Sequence, residues 1–158
     1  MTGRDAVLLA VSPDGLYDVL TAAGAGRGAL AGTPLIDATN AVAHGVGELL
    51  VEDGRAIAEH VAEWEPGAEV VKAFHMFPSD QWTAAGTTVT VAMAGDHDRA
   101  LGVVAHLIRE VGGRPAVLGP LRRARQLDKV AGFVIGLAFS GVDPSSAVPA
   151  APEPATAT

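Results

Sequence analysis

The sequence predicts an α/β fold, a doubly wound parallel sheet with flanking helices. Two observations predict it. Short apolar runs of strand length alternate along the chain with segments of helical periodicity. The runs are apolar throughout, as in strands covered on both faces, and do not alternate with polar residues. The scale fits: 158 residues with 49% hydrophobic content can build one domain with a real core. Aromatics are only 4% of the chain, so that core must be aliphatic.

Each element follows from local chemistry. Ala6 to Val11 (AVLLAV) reads as a fully buried first strand. Ser12 is a favoured N-cap and Pro13 a favoured first helical residue, so a helix starts there, with Leu16, Val19 and Leu20 as its buried stripe and Gly24 as its stop. Pro34 to Thr39 is the second strand, closing in the polar run Asp37-Ala-Thr-Asn40. Asp53 can cap a helix that carries Ile57, Val61 and Trp64 on one face and ends at Pro66-Gly67. Glu69 to Phe74 and Thr87 to Ala94 are the third and fourth strands. Asp96 or Asp98 caps a helix bearing Leu101, Val104, Ile108 and Val111, which Gly112 and Gly113 terminate. Pro115 to Leu118 is a short fifth strand, and a last helix runs from about Leu121 to Phe139. Residues 5–141 form the expected domain. Residues 142–158 (VDPSSAVPAAPEPATAT) cannot build a core and read as a disordered Pro/Ala-rich tail.

Composition narrows the functional classes. A net charge of −7 argues against a nucleic-acid partner, which needs an excess of Lys and Arg against phosphate. The chain has no cysteine, so disulfides, thiolate metal sites and a cysteine nucleophile are excluded, and a reducing cytoplasm fits. No basic segment followed by a long apolar run marks a leader, and Val130 to Val142 is too short for a membrane span.

Ligands of open parallel sheets bind outside the carboxyl ends of the strands. Three predicted ends carry polar or aromatic groups: Ser12-Pro13, Asp37 to Asn40, and Phe74-His75-Met76. Asn40 offers donor and acceptor together, as a carboxamide or ribose requires. Ser12 opens a helix, but Asp14 in the first turn repels anions, so this mouth suits a hydroxyl better than a phosphate. Asp37 and Thr39 read as turn residues. His75 is the one histidine at a strand end, open to a ligand or a structural role. His44, His60, His97 and His106 lack metal spacing, and Asp96-His-Asp98 reads as a cap, so no metal site is expected. Arg122, Arg125 and Lys129 share a helix face, read as solvated. Gly132 and Gly136 suit close packing of the last helix on its sheet. Neither a glycine-rich phosphate loop nor a GxSxG elbow is present; Gly24 to Gly28 has the wrong spacing and follows a helix.

The runs DAVLLAVSPDGLYDVL, LIDATN, VVKAF, VAMAGDHDRA and GPLRRARQLD stand in an order that resembles the coenzyme F420-dependent NADP oxidoreductase family, over roughly Asp5 to Asp128. The resemblance implies a Rossmann-like domain that brings NADP(H) and the deazaflavin coenzyme F420 face to face. Hydride then passes directly between the rings, with no catalytic side chain and no metal. It places Val11, Ser12 and Pro13 beside the nicotinamide side of the dinucleotide, Asn40 beside the reacting rings, and Phe74 and His75 in the same pocket. The chain departs from the family at Ala41, where proline is usual, and at His75, where asparagine is usual. The family's first strand, glycine loop and 2′-phosphate site have no counterpart here, so the resemblance implies a truncated NAD(P)-binding domain. Ala6 to Val11 then becomes a bare apolar edge, which a second copy or another chain could cover. The alternative expectation is a cofactor-free binding or assembly protein with a lost redox site, and a further one is a cofactor-free enzyme that uses His75.

Overall fold

The sheet follows the chain. In a computed structural model describing residues 4–43, 45–51, 53–78, 81 and 89–150, five strands lie in the order β1-β2-β3-β4-β5. They are β1 (Val7–Leu9), β2 (Pro34–Asp37), β3 (Glu69–Lys72), β4 (Thr90–Gly95) and β5 (Arg114–Gly119). β1, β2 and β3 run parallel, as do β4 and β5. β3 and β4 are antiparallel, with Val71 opposite Gly95 and Lys72 opposite Ala94. The sheet is thus mostly parallel, an α/β Rossmann-like arrangement with one reversal where an all-parallel sheet was expected. The carboxyl ends of β1, β2 and β3 still share one edge.

Helices α1 (Pro13–Ala23), α2 (Ile57–Trp64), α3 (Asp98–Glu110) and α4 (Ala124–Phe139) flank the sheet, with short 3₁₀ turns at Leu121–Arg123 and Pro144–Ala147. The period-2 geometry of the strands divides the core in two. Leu35 and Val70 pack with Leu16, Leu20 and Val61 of α1 and α2. Their neighbours Ile36 and Val71 pack with Val104 and Ile108 of α3.

Several boundaries differ from the sequence expectation. β1 covers three residues, and Leu8 is 54% exposed, because α3 covers the inner strands and leaves the edge strand bare. Ser12 holds the N-cap position of α1 without a side-chain cap bond, and Pro13 follows as expected. Leu16 and Leu20 are buried, but Val19 faces out. Ala56, not Asp53, precedes α2. Glu59 takes the Ala56 N–H at 2.9 Å, while Asp53 accepts from Arg55 N–H in a local turn. His97 holds the N-cap position of α3, and Asp96 instead accepts the Leu121 N–H at 2.9 Å, tying β4 to the turn before α4. Residues 87 and 88 of the expected fourth strand lie outside the described residues. Beyond α4, Asp143 caps the Pro144–Ala147 turn by accepting from Ser145. Among the described residues, no helix is long and apolar enough to cross a membrane.

Candidate functional site

The paired ends of β2 and β3 carry a buried ionic cluster. Parallel register sets Asp37 beside Lys72. The Lys72 ammonium has no exposure; it lies 3.1 Å from Asp37 Oδ2 and 2.9 Å from Asp128 Oδ1 of α4, and donates to the Thr39 carbonyl at 2.5 Å. Asp37 Oδ1 also accepts from Thr39 N–H at 2.9 Å and from Thr39 Oγ1 at 2.6 Å. Asp37 and Thr39 are therefore turn residues, as expected, but the turn is locked by a charge from the next strand. Asp128 Oδ1 is at ion-pair distance but off the hydrogen-bonding direction of the ammonium. Its carboxyl also accepts from the Ile57 N–H at the start of α2. Burial raises the Asp128 carboxyl above the ordinary carboxylate range, against the pull of Lys72.

This cluster holds Asn40 and His75 next to each other. Asn40 Nδ2 donates to the His75 carbonyl at 2.6 Å, which leaves Asn40 Oδ1 without a partner. The His75 ring is 6% exposed, and neither ring nitrogen is hydrogen-bonded. Burial, followed by the Lys72 charge, takes its pKa down to about 3; the Leu127 carbonyl opposes this, but falls short of a hydrogen bond to the ring. His75 is thus a neutral imidazole at pH 7, one ring nitrogen a donor and the other an acceptor, both buried. Phe74, just before it, turns the chain through φ 64, a left-handed conformation rare for a bulky residue. Its half-buried side chain joins the α3-side core.

Asn40 and His75 line a cleft of about 700 Å³. Apolar residues of α4, including Val134, Ile135 and Phe139, line it together with Pro144 and Val148, and Gln81, Asp143 and Ser145 add polar groups. Volume and lining match those of small-molecule sites. Val11, Ser12 and Pro13 stand at the carboxyl end of β1, on the same sheet edge, but do not line this cleft. Phe74 does not line it either. The sheet edge gathers all six predicted residues, and the cleft itself brings together only Asn40 and His75.

The remaining motifs have structural partners. Arg125 makes a bidentate pair with Glu59, at 2.7 and 2.8 Å, clamping α4 to α2. Gly132 and Gly136 pack on the loop at Gly47, where the sheet was expected. A Cβ on Gly47 would meet Gly132 O at 2.5 Å and Gly136 N at 2.7 Å. His44 lies outside the described residues. Among those described, no group of three His, Cys, Asp or Glu converges as a metal site. Lys72 and Asp128 were missed by residue-by-residue reading. The signal was present: a lysine ends the otherwise apolar β3 beside a strand that ends in aspartate.

Fold and site together define a Rossmann-like α/β protein with a cleft at the carboxyl ends of its parallel strands β2 and β3. A protein from Arthrobacter sp. FB24, provisionally assigned as an F420-dependent NADP-reductase, has the same fold, with a TM-score of 0.73 and 24% identity over 90% of this chain and 68% of its own. A hypothetical protein from Sinorhizobium meliloti, SMa0349, matches with a TM-score of 0.67 and 33% identity over 77% of this chain. The chain spans 60% of that protein's length. No family model and no curated protein matches.

Proposed function

We propose that the chain is an NADP(H)-linked oxidoreductase in which the Asn40–His75 cleft holds the hydride acceptor, coenzyme F420 or another small molecule. The observation that carries this reading is the Asn40–His75 pair, whose buried side chains keep unpartnered polar atoms beside a largely apolar cleft at the carboxyl ends of β2 and β3, which Gln81, Asp143 and Ser145 also line. NADPH, when bound, would supply the hydride to the acceptor, whose balancing proton would come from solvent once the cleft opens. The chain's own residues bind, orient and exclude solvent. Asn40 and His75 fix the edge of the acceptor, the α4 wall keeps the ring dry, and Val11, Ser12 and Pro13 border the dinucleotide from the end of β1. Phe74 holds His75 in place through its left-handed turn. The likeness to the Arthrobacter protein supports the redox class.

The bare edge of β1 favours a second reading, a cofactor-free assembly protein in which another strand, from a second copy or a partner, extends the sheet at Leu8. Calorimetry with millimolar NADPH, followed by spectrophotometric assay of deazaflavin reduction, separates the two. Heat of binding and turnover support the oxidoreductase; the absence of both leaves the assembly protein.

A further inference from the structure

The second half of α4 has no polar face. Val130 to Val142 contains no charged residue, and Val130 to Phe139 no polar side chain at all. A helix that is apolar all round is normally buried on every side. Two sides of this one are accounted for: Gly132 and Gly136 meet the Gly47 loop, and Val134 and Ile135 line the Asn40–His75 cleft. The third side is open. Phe133 is 46% exposed, Val130 is 48% exposed, and Leu137 is half-buried. With the exposed Gln126 and Ser140 they alternate at spacings of four and three residues, the pattern of a seam between paired helices.

The stripe is its own complement. Reversed about Phe133, it sets Ser140 against Gln126, Leu137 against Val130 and Phe133 against itself. The flanking charges match in the same sense. Arg122 and Arg123 lead into α4 and Lys129 is exposed on its first half, whereas the exposed Asp143 follows its C-terminus. An antiparallel copy brings each basic end to the partner's Asp143 and to the negative end of the partner helix dipole. A parallel copy would bring like charges together. Beside Val130 lies a largely apolar hollow of about 340 Å³, with Met76 and Leu118 in its lining and Thr90, Arg123 and Gln126 as its polar members. In the antiparallel register this hollow receives the partner's Leu137.

We infer that α4 is a homodimer interface, in which two copies of the chain pair these helices antiparallel across a two-fold axis at Phe133. Such a contact uses the same patch on both copies and closes on itself. It is separate from the β1 edge and depends on neither functional reading.

Sedimentation equilibrium of the full chain at micromolar concentrations tests it. The expected mass is twice that of the chain. Phe133→Glu, confirmed as folded by circular dichroism, should weaken the dimer at least tenfold. Leu8→Lys should leave the dimer intact and remove only growth beyond two copies. Because the chain has no cysteine, introduced thiols report the geometry directly. Oxidation should cross-link the Gln126→Cys/Ser140→Cys double variant efficiently and either single variant poorly. A monomeric parent, or a Phe133→Glu dimer of parental affinity, overturns the interface. Efficient cross-linking of Gln126→Cys alone overturns the antiparallel order. A monomeric parent that binds phosphatidylcholine–phosphatidylglycerol vesicles, and loses them on Phe133→Glu, overturns the dimer in favour of a lipid surface. No readout uses NADPH, so failure of the oxidoreductase reading leaves the outcome untouched.

Discussion

Lys72 and Asp128 lie 2.9 Å apart, fifty-six positions apart in the chain, with almost no contact with water. Together with Asp37 they join the ends of β2 and β3 to the first half of α4, so the floor of the cleft and its wall share one ionic anchor. Such a cluster brings little net stability when intact, yet losing one member leaves a charge buried alone.

Lys72→Met therefore removes the compensation for two buried carboxylates. The expected loss is about 3–5 kcal/mol, measured by urea denaturation at pH 7. Adding Asp37→Leu and Asp128→Leu should restore much of it. A single variant as stable as the parent would show that the cluster is hydrated in solution.

His75 gives the chain an acid-sensitive stability. Burial and Lys72 depress its folded pKa to about 3, from 6.5. The unfolded chain binds this proton near pH 6.5, and the folded chain refuses it until about pH 3. The contribution is complete above pH 6.5 and is lost as the pH falls toward 3. Between pH 7 and 4 the parent should lose about 2–3 kcal/mol more than His75→Phe, on the basis of about 1.4 kcal/mol per pH unit. Parallel denaturation curves for the two would contradict the neutral imidazole.

Asp128 works with the opposite sign. Its folded pKa is raised, chiefly by burial. Its contribution is present below the ordinary carboxylate range and is lost as the pH rises through the folded value. The stability of the parent relative to Asp128→Asn should therefore decline from acid toward neutral pH. If the same denaturation series showed the difference growing, Lys72 would be the stronger influence.

Gly47 has φ +85 and lies against the backbone of α4 at Gly132 and Gly136. Gly47→Ala combines strain with a backbone collision and should cost more than about 2 kcal/mol. The same substitution at Gly45, which has open space around it, should cost less, about 1 kcal/mol for the positive φ alone. Thermal melts of the two variants compare them directly.

Leu8 tests the edge. It is exposed on a strand that has no neighbour on its outer side among the described residues. Leu8→Lys should change stability by less than about 0.5 kcal/mol, yet reduce concentration-dependent association in analytical ultracentrifugation. Unchanged association would move any self-contact away from β1.

The sequence by itself determined the order and type of the elements. Apolar runs such as LIDATN and VVKAF, the Ser12-Pro13 helix start and the Gly24 stop are local signals, governed by propensity and periodicity within a few residues. It also marked Asn40 and His75, since strand ends with polar side chains are legible in one dimension. Only the tertiary structure reversed β4 against β3, exposed Leu8 on an edge, and set α4 against the Gly47 loop. Only it joined Lys72 to Asp128. Strand direction, edge position and buried charge pairing depend on which distant segments meet, and no residue carries that information locally. Asp37 and Thr39 are read correctly as turn residues from sequence; the charge that makes the turn rigid comes from the next strand, thirty-five positions on.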